Sequence, residues 1–168
     1  MLKKFYPSVY YKSTYDVDFQ EYYDMGFRGI IFDVDNTLVP HGADADQRAK
    51  DLFAKLRSIG FDTCLTSNNK KERVERFNKE IHSHYIFKAN KPAKAGYQLA
   101  MKKMGTNKKN TMFVGDQLFT DVYGANRVGI FSILVGSLHP KEEIQIVLKR
   151  YLEKVVLFIG RNKIDKRF

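Results

Sequence analysis

Gly29-Ile30-Ile31-Phe32-Asp33-Val34-Asp35-Asn36-Thr37-Leu38 decides how the rest of the chain is read. Four residues without a polar side chain run straight into two acids one residue apart. So short an apolar run, bounded by turn residues, is the pattern of a strand buried on both faces. Downstream, Leu52, Phe53, Leu56 and Ile59 recur at spacings of three and four, which predicts a helix over Asp46–Ile59 that Gly60 stops. A strand is expected near Phe61–Thr66, a helix near Lys70–Glu80 and a short strand near Tyr85–Phe87. Pro92 begins another helix, with Tyr97, Ala100, Met101 and Met104 on one face and Gly105 after it. Thr111–Val114 reads as a strand, Thr120–Asn126 as a short helix, Ile130–Val135 as a last strand, and Lys141 to about Phe158 as a final helix. Such alternation implies an α/β fold in three Rossmann-like layers, a mainly parallel sheet with helices on both faces.

In sheets of this kind ligands bind beyond the carboxyl ends of the strands, where the strand order reverses. Polar clusters fall there three times: Asp33-Val34-Asp35, Ser67-Asn68-Asn69 and Gly115-Asp116. One cluster is ordinary turn chemistry. Three, after separate strands, point to a site. Asp33 and Asp35 in a partly dry crevice repel each other, and a divalent cation removes that repulsion. With Asp116 the donors are all oxygen, which suits Mg²⁺ rather than zinc or copper. Magnesium favours phosphate ligands, so phosphoryl chemistry is expected, with Lys91 as the fixed cation and Ser67 as a hydroxyl donor. Taken singly, Lys91 is more often a surface lysine and Ser67 a turn or cap residue. A calcium loop of the EF-hand type fails at its sixth position, Leu38, and its twelfth, Asp44.

The 168 residues suffice for one domain with a substantial core. A membrane span needs ~20 apolar residues, and Val155–Ile159 falls far short. Residues 1–7 lack the apolar core of a signal peptide, so a cytoplasmic protein is expected. The single cysteine, Cys64, excludes an internal disulfide and a multi-cysteine zinc site, and its apolar surroundings read as those of a buried thiol. A net charge of +10 predicts attraction to polyanions: nucleic acid, anionic lipid or a phosphorylated substrate. From Val147 to Phe168, seven Lys/Arg face only Glu153 and Asp165. The bland reading of that tail is solubility.

The ordered set resembles the signatures of haloacid dehalogenase (HAD) superfamily phosphatases. Phe32 to Leu38 matches the first, Asp-x-Asp-x-Thr; Thr66-Ser67-Asn68 the second; Lys91-Pro92 the third; and Gly115-Asp116 with Asp121 the fourth. Intervals of 34, 24 and 25 residues keep them in order across about residues 29–136. The stretches Asp33–Val39 and Val114–Asp121 look like the YqeG-type, subfamily IIIA branch, which is related to phosphatidylglycerophosphate phosphatases. The resemblance implies Asp33 as nucleophile, giving an aspartyl-phosphate, and Asp35 as its acid/base partner. It implies Mg²⁺ on the Asp33 carboxylate, the Asp35 carbonyl and Asp116. Ser67, the Asn68 backbone and Lys91 would hold the phosphoryl group, Thr37 would support the loop, and Asp121 would orient Lys91 or a metal-bound water.

Neither 38–46 nor 70–90 has room for a cap domain. An open site suits a headgroup held at a membrane, a phosphoprotein or a nucleic-acid end, with phosphatidylglycerophosphate the best single substrate by resemblance. The alternatives are a phosphoprotein or nucleotide phosphatase, and a basic RNA-binding or assembly protein on a HAD scaffold. Ile144, Val147, Leu148, Tyr151, Leu152, Val155 and Val156 give the final helix an apolar face expected to pack on the sheet. The basic end beyond Val156 is a candidate for peripheral contact with an anionic membrane. Tyr6, Tyr10, Tyr11 and Tyr15, among Lys3, Lys4 and Lys12, read first as packing against the domain. An interfacial belt or a stacking platform for RNA is the alternative. His82 and His84 read as surface histidines. The oligomeric state is not legible.

Overall fold

The computed structural model describes residues 2–138, 144–162 and 164–167. Seven parallel strands form one sheet: β1 (Val9–Tyr11), β2 (Gly29–Phe32), β3 (Asp62–Thr66), β4 (His84–Ile86), β5 (Thr111–Gly115), β6 (Phe131–Val135) and β7 (Asp165–Lys166). Their order across the sheet is β4-β3-β2-β5-β6-β1-β7. The chain winds outward from β2 to β3 and β4, then returns to lay β5 against the other side of β2. That reversal sets the C-terminal ends of β2 and β5 side by side, with Phe32 level with Val114.

Alternation along each strand divides the core between two faces. Ile30, Phe32, Met112, Val114 and Ile133 face a cluster that takes in α1 (Phe19–Asp24), α2 (Gln47–Ile59) and α3 (Lys71–Asn78). Ile31, Cys64 and Phe113 face α4 (Lys94–Met104) and α5 (Tyr123–Val128). Leu134 and Tyr10 continue that second face towards α6 (Ile144–Gly160), which packs there through Val156 and Leu157. The result is a three-layer α/β fold. Asp46 caps α2 by accepting the Ala49 N–H, and Gly60 ends the helix at φ 115°. Cys64 is buried, and burial pushes its thiol up to about 12, so it stays protonated.

Several expectations shift. The first strand in the chain is β1, not β2: Val9–Tyr11 inserts between β6 and β7. The helix expected from Pro92 starts at Lys94. The segment expected as a helix from Thr120 begins at Leu118 as a π-helical turn to Val122 before α5 takes over. The tyrosines pack on the domain: Tyr11 is buried with its hydroxyl 3.0 Å from that of Tyr22, and Tyr15 donates to the Leu38 carbonyl at 2.6 Å. His82 and His84 are exposed.

The largest correction concerns α6. Tyr151, Leu152 and Val155, expected on the sheet, point outward, while Glu153, Val156, Leu157 and Gly160 face the domain. The start expected at Lys141, the side chains of Ile144, Val147 and Leu148, and Lys163 of the basic tail lie outside what is described. Arg167 folds back, its guanidinium donating to both carboxylate oxygens of Glu21 at 2.8 and 2.7 Å. No helix among the described residues is long and apolar enough to cross a membrane.

Candidate active site

Asp33 is the first residue past β2, and its N–H donates to the Val114 carbonyl at 2.9 Å. That bond carries the β2–β5 ladder one residue further and brings Asp33 beside Asp116, the first residue past β5. Asp121 enters from the π-helical turn. One carboxylate oxygen from each of Asp33, Asp116 and Asp121 lies within 4.8 Å of the others, and all three residues are buried. Gly115 makes the approach possible, because a Cβ there would sit 2.5 Å from Asp121 Oδ2.

Lys91 reaches this cluster from the loop between β4 and α4. Its Nζ donates to Asp33 Oδ1 at 2.6 Å and to Asp121 Oδ1 at 2.7 Å. Asn68 grips the Lys91 backbone, accepting its N–H at 2.7 Å and donating Nδ2 to its carbonyl at 3.2 Å. Asp121 Oδ2 accepts the Gln117 N–H, and the Tyr97 hydroxyl donates to the Thr120 carbonyl. Thr37 Oγ1 lies 3.2 Å from Asp33 Oδ2 and 3.1 Å from Asp116 Oδ1, donating to one at a time. Ser67 is buried, and its hydroxyl accepts the Asn69 N–H at 3.1 Å.

Asp35 turns away from the three acids. Its carboxylate accepts the Gly42 N–H at 2.8 Å, Arg73 at 2.8 Å and Asn69 Nδ2 at 2.8 Å. Burial raises its pKa, but the Gly42 amide and the Arg73 guanidinium outweigh that and hold it below the ordinary aspartate value. The opposite holds at the centre. One ammonium does not balance three buried carboxylates, so burial, aided by the Asp121 and Asp116 charges, pushes Asp33 well up despite Lys91. Burial with the Asp121 charge brings Asp116 to about 6, against the pull of Arg150 and Thr37. Burial disfavours the Lys91 ammonium, yet Asp121 and Asp33 hold it charged above an ordinary lysine.

Motif spacing points to Asp33, Asp116, Asp121, Lys91, Thr37, Ser67 and Asn68, and the fold brings these together; Asp35 is hydrogen-bonded away from the three acids but lines the same cavity as Asp33, Ser67, Asn68 and Lys91. Five further contributors carry no local signal. Thr14 Oγ1 donates to the Thr37 carbonyl at 2.8 Å, and Tyr15 holds Leu38, so the N-terminal segment braces the loop after β2. Arg73 comes from α3. Arg150, from α6, forks onto the Asp116 carboxylate and carbonyl, while Glu153 accepts the Leu118 N–H at 2.8 Å. The excess of buried negative charge and the all-oxygen donor set fit a hard divalent cation, so the triad could hold a metal ion. The cavity above it, about 210 Å³, is also lined by His41, Gln117 and Thr120. It is small beside common ligand pockets of ~300–1,000 Å³, so it encloses a phosphate-sized group and leaves the remainder outside.

Known proteins resemble this chain in sequence and in fold. The family model for haloacid dehalogenase-like hydrolases matches residues 42–129. Over 97% of this chain and 96% of its own length, a Bacillus subtilis protein named "Probable phosphatase YqeG" is 32% identical. An Arabidopsis thaliana phosphatidylglycerophosphate phosphatase 1 (chloroplastic/mitochondrial) is 27% identical over 88% of this chain, which spans 48% of that longer protein. A solved structure of a Legionella pneumophila protein assigned to subfamily III A of the HAD superfamily shares the fold at 17% identity. Its TM-score is 0.53, over 83% of this chain and 86% of that one.

Proposed function

The chain belongs to the haloacid dehalogenase-like hydrolases and is a phosphatase of that family, and from that premise we propose that it hydrolyses phosphomonoesters through an aspartyl-phosphate on Asp33. The observation that carries this reading is the convergence of Asp33, Lys91, Asp116 and Asp121 in one buried cluster at the reversal point of the sheet.

Asp33 attacks phosphorus as the bond to the ester oxygen breaks. Asp35 gives the leaving oxygen its proton, then removes one from the water that attacks the aspartyl-phosphate, releasing inorganic phosphate and restoring Asp33. The contacts of Asp35 favour its carboxylate, the form that activates water, so the proton it passes to the leaving oxygen is one it takes from the phosphate monoanion of the bound ester. Lys91 holds Asp33 in place and offers positive charge to the transferring oxygens, with the Ser67 hydroxyl and the Asn68 backbone beside it. Asp33, Asp116 and the Asp35 carbonyl are the groups that would hold Mg²⁺, which supplies charge neutralisation on the phosphoryl oxygens. Asp121 has one oxygen on Lys91 and the other on the Gln117 amide, so its proposed part is to orient Lys91.

The substrate proposed is phosphatidylglycerophosphate. Its terminal phosphate suits a small cavity open at the mouth, its glycerol and acyl chains stay outside, and the Arabidopsis relative carries that substrate in its name. The protein would then work from the cytoplasm at the membrane edge. A phosphate-release screen with Mg²⁺ across lipid, sugar, nucleotide and peptide phosphates tests it. Preference for a nucleotide or phosphopeptide would redirect the substrate, and no release from any class would sink the enzyme reading in favour of a scaffold.

A further inference from the structure

Five of the eight exposed large hydrophobic side chains among the described residues lie on α6: Tyr151, Leu152, Val155, Phe158 and Ile159. Their spacing places them in one stripe, on the side opposite Val156, Leu157 and Gly160. α6 is thus apolar on two faces, and among the described residues only one has a partner. The single acid from 144 to 162 is Glu153, which is 6% exposed and turned inward onto the Leu118 amide. Lys154 and Arg161, both exposed, border the outward stripe, and among the described residues of α6 no acid faces them. At its far end is an apolar slot of about 460 Å³ whose walls include Tyr10, Leu157, Phe158 and Ile164 and whose rim carries the same two cations.

We propose that the outward face of α6 is a docking surface for an anionic lipid bilayer. Aliphatic residues in the middle of the stripe call for an apolar partner, and Leu152, Val155 and Ile159 offer no base a stacking plane. The cationic margin calls for an anionic one. A second copy of this chain would set Lys154 and Arg161 against like charges on a body of net charge +10. A bilayer with anionic headgroups meets both demands, with the helix in the interfacial plane and its stripe buried ~5–10 Å deep. Position adds to the case. The stripe begins at Tyr151, next to Arg150, whose guanidinium holds Asp116, and its nine residues span about 12 Å at the helical rise. Docking α6 therefore brings the bilayer beside the residue that holds Asp116. The inference deepens the lipid-phosphate reading and rests on it for purpose, while binding itself is measured without turnover.

The test is cosedimentation of the full chain with vesicles of phosphatidylcholine alone, and of phosphatidylcholine with an equal amount of phosphatidylglycerol. Binding to the second alone is expected, weakened by salt. Leu152→Ser with Phe158→Ser should lower the partition at least about tenfold, and Lys154→Glu with Arg161→Glu about as much. Both pairs are exposed, and an unchanged melt with unchanged hydrolysis of a soluble aryl phosphate checks their folding. Vesicle binding by a chain that hydrolyses no lipid phosphate supports docking and counts against the substrate reading. No binding by the intact chain, or binding indifferent to Leu152 and Phe158, overturns the proposal. A dimer or an RNA complex lost in the double serine variant, without vesicle binding, overturns it in favour of that occupant.

Discussion

Replacing Lys91 by methionine removes the one ammonium from the centre of the site while keeping most of the side chain's volume. The lysine side chain is 4% exposed, and its Nζ lies 2.6 Å from Asp33 and 2.7 Å from Asp121. Each such bond to a charged group contributes about 1.5–3 kcal/mol, and losing one member of a buried pair costs about 3–5 kcal/mol. Protonation of one abandoned carboxyl limits the loss, so about 3 kcal/mol at neutral pH is expected. For a chain of this size each kcal/mol moves the melting temperature by about 2–4 °C, giving a drop of about 6–12 °C. The sign with pH follows from the acids left behind. Asp33, already pushed up by burial, loses the cation that opposes that rise, so the folded variant binds the extra proton and its stability falls as pH rises from about 4 towards neutrality. The variant is therefore closer to the unaltered protein at pH 5 than at pH 7.5. A divalent cation should recover more of its melt than it adds to the unaltered chain, because the cluster has lost a positive charge. Turnover should fall at least about a hundredfold. Thermal melts at both pH values, with and without Mg²⁺, read all of this. A variant melting within a degree or two of the unaltered protein at pH 7.5, or keeping its turnover, would refute the view of Lys91 as the ionised partner of buried acids.

Asp33→Asn should abolish aryl-phosphate hydrolysis yet melt no lower than the unaltered chain, since it removes one of three mutually repelling carboxylates; near-normal turnover by the folded variant would exclude Asp33 as nucleophile. Activity should require Mg²⁺, vanish with EDTA and respond poorly to zinc, and Asp116→Ala should raise the Mg²⁺ requirement or end activity. Hydrolysis surviving thorough chelation would contradict the metal site. Because Asp116 sits at about 6 and the ordinary value is 3.8, Mg²⁺ should bind more weakly as pH falls through about 6. The metal-free fold should lose the Asp116 contribution as pH rises across the window from 3.8 to about 6. Calorimetry on the unaltered chain without substrate measures the affinity, and a flat value between pH 5 and 7 would count against Asp116 as a ligand.

The parts of the fold that were legible are those whose signal is local. β2, β3 and β5 are flanked on both sides, so they appear as apolar runs between turn residues, and Gly60 and Gly105 mark helix ends by backbone conformation alone. β1 has no such signature. Its three residues become a strand only by pairing with β6 and β7, more than a hundred residues away. Asp33 and Asp116 are legible because each sits where a strand must end, and Asp121 through the motif that follows Asp116. Arg73, Arg150, Thr14 and Tyr15 are not, since each acts on a loop distant in sequence. α6 misled for a different reason. A helix apolar around most of its circumference has no unique phase from hydrophobic pattern alone. Its rotation is set by two polar anchors, Arg150 on Asp116 and Glu153 on the Leu118 amide, which a pattern treats as surface charge.

Those anchors join α6 to the chemistry, as Thr14 and Tyr15 join the N-terminal segment. The family match begins at residue 42, after Asp33 and Asp35, and stops at 129, before α6. Within that window lie Lys91, Asp116 and Asp121, but the loop carrying Asp33 is braced from outside it by Thr14 and Tyr15. Asp116 is likewise held from outside it, by Arg150. The functional unit therefore extends to the N-terminal segment and to α6, and neither is an appendage to a self-sufficient core. Since Arg150 and Tyr151 are consecutive, any partner that seats the outward face of α6 bears on the helix that fixes a carboxylate of the site. Contact at that face and the geometry around Asp116 are thus mechanically one matter, through a single turn of helix.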